Sequence, residues 1–167
     1  MIVQDSCSLF LIQRKKKKMY KPHKAQLSFH NDRFRHRHRA LLAGTGSGKS
    51  YAGCQEAIAL ALSMCGSVGL ICAPTYKKLI EVIIPVLRDI LGEDFNRIIV
   101  KFDRQKMFLD FYNGSRVWLI GLDKPEATEG ITASWAWIDE ARLVPKLQEA
   151  MDSGVGLQAV QVIPTGP

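Results

Sequence analysis

Residues Ala43-Gly-Thr-Gly-Ser-Gly-Lys-Ser50 set three glycines, a lysine and a serine at the spacing of a phosphate-cradling loop, or P-loop, with Ala43 in place of the first glycine. Glycines let such a loop wrap so that successive backbone N–H groups point inward at phosphate oxygens, and a helix starting at Lys49 adds its positive N-terminal end. The nucleotide-binding set is therefore Ala43, Gly44, Thr45, Gly46, Ser47, Gly48, Lys49 and Ser50. Lys49 is expected on the β- and γ-phosphates, and the Ser50 hydroxyl on Mg²⁺. A phosphate loop needs an acidic partner a strand away, and Trp135-Ala-Trp-Ile-Asp-Glu140 is an apolar run ending in two acids. Asp139 would orient Mg²⁺ through its water shell, and Glu140 would accept a proton from the attacking water. The plainer alternatives are a Gly/Ser turn with an incidental lysine and a pair of acids drawn to a helix N-terminus. The strand and helix flanking the loop, and the presence of both motifs in one chain, favour ATP and Mg²⁺ as cofactors of a hydrolase.

Other residues carry weaker signals. Gln26, about twenty residues before the loop, offers an amide for the N6 and N7 edge of adenine, with Phe29 or Phe34 to stack on the base; a solvated glutamine is the alternative. The histidines at 23, 30, 36 and 38 read as phosphate contacts or a solvated basic edge rather than as metal ligands. Arg142 lies two residues beyond Glu140, where it either adds positive charge to the transition state or forms a surface ion pair. Ile163-Pro-Thr-Gly166 reads as a strand-to-loop switch with a threonine hydroxyl near the γ-phosphate, or as a plain strand end.

These residues need a scaffold, and the pattern from Arg39 onward alternates short apolar runs with helical stretches, as in a parallel sheet with crossover helices. Strands are expected at 39–43, 68–73, 97–102, 107–112, 116–121, 135–138 and 157–163, with Asn113-Gly114 as a hairpin turn. Helices are expected at 49–64, 76–91 and 145–151, with Pro85 as a kink or boundary and Gly92 as a stop. The fold class is α/β: a P-loop NTPase with a central, mainly parallel sheet flanked by helices, plus a β-hairpin insertion.

The chain of 167 residues is long enough for one domain with its own core. Its net charge of +7 is uneven, because residues 1–40 hold 11 Lys and Arg against 2 acids. Residues 1–18 read as a basic, flexible extension and 19–167 as the ATPase domain. Such an arm suits a polyanion, although a solvated tail explains it equally well. Four cysteines without metal-binding spacing point to reduced thiols. The apolar stretch 57–73 is broken by Gly66, Ser67 and Gly69, so it reads as a buried helix followed by a strand and not as a membrane span. The N-terminal order, apolar then basic, is the reverse of a secretion signal.

Pro22-His-Lys-Ala-Gln26, the loop 43–50, Ala73-Pro-Thr-Tyr76, Leu119-Ile-Gly-Leu122, Glu129-Gly130 and Trp137-Ile-Asp-Glu-Ala141 together resemble the ATPase half of the large terminase subunits of tailed phages and prophages, over roughly residues 20–167. The resemblance implies a motor that hydrolyses ATP to drive double-stranded DNA into a procapsid. It also implies a homo-oligomeric ring at a portal protein, a small terminase subunit as partner, and the host cytoplasm as location, without a membrane. By carry-over Gln26 contacts adenine, Lys49 and Ser50 the phosphates and metal, Asp139 the metal, and Glu140 is the base. Two departures stand out. Many terminases carry a further Arg or Lys within the P-loop, and here the six residues before Lys49 hold neither. Terminases also continue into a nuclease domain, for which this chain has no room, so no DNA cleavage is expected of it. A helicase-like nucleic-acid-dependent ATPase, or a truncated remnant that binds nucleotide without turnover, are the competing readings.

Overall fold

The computed structural model describes residues 20–36, 38–44, 46–123 and 130–141, and the backbone of 160–163. The expectations for residues 1–18, Thr45, Glu129, Arg142, the helix at 145–151 and Thr165 lie outside the described residues.

The Ala-, Leu- and Ile-rich stretch after the glycine loop forms helix α2, Lys49–Ser63, following a short helix α1, Lys24–Asn31. Strand β2, Val68–Ala73, is apolar throughout and buried along nearly its whole length, as a strand covered on both faces must be. It pairs in parallel with β5, Arg116–Gly121, on one side and with β6, Trp135–Asp139, on the other. β6 pairs in parallel with β7, Val160–Ile163, which pairs in parallel with β1, His38–Arg39. Beyond β5 the sheet turns antiparallel through β4, Phe108–Phe111, and β3, Ile99–Asp103, giving the order β1-β7-β6-β2-β5-β4-β3. Gly114, at φ 83°, supplies the left-handed turn between β4 and β5 that the Asn-Gly pair signals. The expected mainly parallel sheet with a hairpin is therefore present.

Three boundaries differ from expectation. Regular pairing of the strand before the glycine loop covers only His38–Arg39. The helix expected over 76–91 is three pieces: one turn of α3, Tyr76–Lys78; a π-helical stretch, Leu79–Ile83; and α4, Ile84–Leu91. Pro85 has no N–H to donate back to the preceding turn, and it sits where the π-helical stretch gives way to α4. Gly92, left-handed at φ 54°, ends α4, but a 3₁₀ turn and a short helix α5, Phe95–Ile98, intervene before β3 begins.

The main core lies between one face of the sheet and helices α2 and α4, with Trp135 and Trp137 fully buried at its centre. Two glycines make room for the indoles. A Cβ on Gly53 of α2 would stand 2.2 Å from Trp137, and one on Gly69 of β2 would stand 2.1 Å from Trp135. Burying an indole removes on the order of 200 Å² from water, an upper bound of roughly 5 kcal/mol each. This packing seats α2 against β6, and so the glycine loop against the acidic strand end. A smaller apolar cluster around Leu70, Cys72, Ala136 and Ile138 occupies the opposite face.

Candidate functional site

The glycine loop and the acidic strand meet at the C-terminal edge of the sheet. One strand, β7, separates β1 from β6, and the Ser50 hydroxyl lies 3.2 and 3.1 Å from the two carboxylate oxygens of Asp139. Gly46 and Gly48 adopt left-handed φ values of 75° and 77°, open to glycine without strain. Gly48 is the N-cap of α2, and the first backbone bond of the helix runs from the N–H of Ala52 to the Gly48 carbonyl at 2.9 Å. The N–H groups of Lys49, Ser50 and Tyr51 thus precede the helical ladder and are available to an anion at the positive helix end.

Lys49 is nearly buried, and its ammonium donates to the carbonyls of Ala43 and Gly44, both at 2.6 Å. Two of its three N–H donors are held by the loop itself, leaving one for a phosphate oxygen. Ser47 has a buried hydroxyl without a hydrogen-bond partner among the described residues.

Asp139 is fully buried. Burial pushes its carboxyl above the ordinary carboxylate value, the Ser50 hydroxyl and the Lys78 charge oppose that, and the neighbouring Glu140 adds to it. Such a group gains from a cation at hand. Ser50 and Asp139 form an oxygen-only donor set of the kind Mg²⁺ takes while keeping several waters. No cluster of three or more His, Cys, Asp or Glu that could cage a metal occurs among the described residues.

Glu140 follows β6 in a left-handed conformation, φ 50°, which costs a residue with a side chain about 1–3 kcal/mol and concentrates at functional positions. Its carboxylate is ion-paired with the ammonium of Lys78, both side chains about three-quarters buried. No sequence motif singles out Lys78. It stands on the single turn of α3, just after the C-terminal end of β2, and β2 is the neighbour of β6. Thr75 caps that turn, its hydroxyl accepting from the Lys78 N–H at 3.3 Å, and Asp123 accepts from the Tyr76 N–H at 3.3 Å. Gly121 lets these segments approach, since a Cβ there would meet the Tyr76 backbone at 2.6 Å. The Ala73-Pro-Thr-Tyr76 run is a signal in the sequence, but only the sheet order brings Lys78 to the acids.

Gln26 lies in α1, not in a polar loop, and is buried. Its amide nitrogen donates to the carbonyls of Ser47 and Gly48, both at 3.3 Å, and its oxygen accepts from the His23 N–H at 3.1 Å in a capping box. Both amide donors are thus spent on the glycine loop, so Gln26 has none left for adenine N7, although its oxygen keeps a lone pair. Phe29 is not a base stacker: it is buried in the core with the Arg39 guanidinium 4.8 Å over its ring, while Phe34 is 71% exposed. Tyr20 instead meets an aromatic of the P-loop helix, its ring centroid lying 5.4 Å from that of Tyr51.

Behind the loop, the fully buried Glu56 of α2 binds His30 at 2.6 Å, Arg33 at 2.7 and 2.9 Å, and Arg39 at 2.9 Å. Burial alone would raise the Glu56 pKa. Hydrogen bonds from His30 and Arg33, with the charges of Arg33 and Arg39, outweigh it and hold the carboxyl down at about 2. His30 also contacts the Tyr20 hydroxyl at 3.0 Å. The basic and histidine-rich segment, expected to serve as phosphate contacts or a solvated edge, therefore spends His30, Arg33 and Arg39 on tying α1 and β1 to α2.

Residues 40–152 match the family model described as "Terminase large subunit, T4likevirus-type, N-terminal". Among solved structures, the large terminase ATPase domain of Thermus phage P74-26 is 26% identical, with 89% of this chain and 67% of that one covered and a TM-score of 0.62. The large terminase of a thermophilic bacteriophage is 15% identical, with 85% and 38% covered and a TM-score of 0.69. The same bacteriophage protein in complex with ATP-gamma-S is also 15% identical, with 84% and 37% covered and a TM-score of 0.68, and at that identity the likeness is one of fold. The chain thus spans little more than a third of the length of that second terminase. No curated protein matches the chain.

Proposed function

Since the chain belongs to the terminase large subunit family, matching its N-terminal region over 40–152, we propose that it is the ATPase domain of a DNA-packaging motor, hydrolysing ATP to translocate double-stranded DNA into a procapsid. The observation that carries this reading is the Ser50–Asp139 contact, which joins the phosphate loop to the acidic strand end at 3.1 Å.

The backbone N–H groups of 49–51 and the remaining donor of Lys49 would bind the triphosphate, while Ser50 and Asp139 would hold Mg²⁺. The metal, when bound, would neutralise phosphate charge. Glu140 would orient the attacking water and take its proton. Gln26 would keep the loop in shape, and the Tyr20–Tyr51 pair offers apolar ring surface for a base. A homo-oligomeric ring, a portal protein, a small terminase subunit and the host cytoplasm as location accompany this reading. Among the described residues no helix is long and apolar enough to cross a membrane. DNA cleavage is not ascribed to these residues.

The test is hydrolysis by the purified chain, alone and with double-stranded DNA and portal protein. A motor domain shows slow turnover alone and at least several-fold stimulation by the two together. Turnover stimulated equally by single-stranded nucleic acid and indifferent to portal would favour a helicase-like ATPase, and binding without turnover under every condition a remnant.

A further inference from the structure

The residues of the loop before Lys49 include no cation, and Lys49 gives two of its three donors to the carbonyls of Ala43 and Gly44. A terminal phosphate entering this site meets two carboxylates, Asp139 and Glu140, at the end of one strand. Nucleoside triphosphate and diphosphate differ there by just the group that most needs a positive partner. The loop alone is poorly equipped to tell them apart.

Lys78 is placed to do so. It rises from the single turn that follows β2, in the crevice between the C-terminal ends of adjacent parallel strands β2 and β6. Its backbone is held from two sides, by the Thr75 cap and by the Asp123 bond to the same turn, so the ammonium is presented by a fixed stem. The five-residue π-helical stretch begins directly after it, and such local widening of a helix recurs at functional sites. The ammonium already meets the carboxylate of Glu140, the anion beside which the terminal phosphate would sit. Its side chain remains a quarter exposed, unlike a structural lysine sealed in an ion pair.

Resting on the reading of this site as an ATPase, we propose that Lys78 is the residue that reads the terminal phosphate, supplying from the same chain the second cation that the glycine loop lacks. ATP and ADP share the backbone N–H contacts of the loop and the helix start, and Lys78 adds to the single free donor of Lys49 the contact that sets the preference for the triphosphate. An ammonium suits this task because it is a compact charge with three donors, able to serve a carboxylate and a phosphate oxygen together.

The experiment measures binding of ATP-gamma-S and ADP, each with Mg²⁺, to the wild-type chain and to Lys78→Met, Lys78→Gln and Lys78→Arg, by calorimetric titration. ADP binding doubles as a check that each variant is folded. The expected result is a loss of about tenfold in ATP-gamma-S affinity for Lys78→Met and Lys78→Gln with ADP affinity within about twofold of wild type, and substantial recovery in Lys78→Arg. The same loss is expected when Lys78→Met is placed on Glu140→Gln, where the ion pair is already broken; this separates a direct contact with phosphate from an effect through Glu140. An unchanged ratio of the two affinities in Lys78→Met overturns the proposal while leaving the ATPase reading intact. Failure of the wild-type chain to bind either nucleotide removes both.

Discussion

Replacing Gly53 by alanine sets two effects against each other. In the middle of α2, alanine is favoured over glycine by about 1 kcal/mol through helix propensity. Against this, its Cβ would stand 2.2, 2.3 and 2.4 Å from Cε2, Cζ2 and Nε1 of Trp137. Ordinary carbon contacts lie at about 3.5–4.0 Å, so the indole must retreat by more than about 1 Å. Trp137 is fully buried and has nowhere to retreat to without moving α2 away from β6. Overpacking of this kind typically costs about 1–3 kcal/mol, and a clash this close with both backbones fixed belongs at the upper end. The net expectation is a loss of about 2 kcal/mol, which for a chain of this length lowers Tm by roughly 4–8 °C. Thermal unfolding followed by circular dichroism, with urea titration to confirm the sign, measures it. Trp137→Phe in the Gly53→Ala background removes the clashing half of the ring together with a buried indole N–H that has no partner among the described residues. The double variant is therefore expected to recover at least about 1 kcal/mol relative to additivity. A Gly53→Ala protein melting within about 1 °C of wild type, or a double variant whose loss is simply additive, would refute the packing argument.

Gln26→Leu removes two hydrogen bonds to the loop carbonyls, each worth about 1 kcal/mol net, and is expected to weaken ATP binding about tenfold in a fluorescent-nucleotide titration; unchanged affinity would deny Gln26 its bracing role. Glu56 has a folded pKa of about 2 against an ordinary value of 4.5, so its contribution, on the order of 3 kcal/mol, is fully present above the unfolded value and is lost as pH falls through the folded one. Between about pH 5 and 2, denaturant midpoints should therefore fall more steeply for wild type than for Glu56→Gln, and parallel curves would count against it.

The parts of the site carried by contiguous residues are legible in the sequence. Ala43–Ser50 and Trp135–Glu140 each encode their own geometry, one through glycines that permit left-handed turns, the other through an apolar strand that ends in acids. The pairing of Lys78 with Glu140 is not, because it depends on β2 and β6 being neighbours, a fact of sheet order that no local pattern carries. Motif position makes Gln26 an adenine contact, whereas a capping box and two carbonyl acceptors decide what its amide does. Phe29 goes to the core for a similar reason: α1 is a helix, and its inward face packs on α2. The break in the helix over 76–91 has a local sign in Pro85, but the π-helical stretch before it has none.

The most direct test of the assembled site compares Glu140→Gln with wild type in the same preparation, measuring Mg²⁺-dependent ATP binding and steady-state phosphate release, with Lys49→Ala as the binding-deficient control. Binding by Glu140→Gln should stay within about threefold of wild type while turnover falls by about 10²-fold or more, as loss of a general base requires. Phosphate release at the wild-type rate from Glu140→Gln would contradict the assignment of the strand end as the place where water is activated.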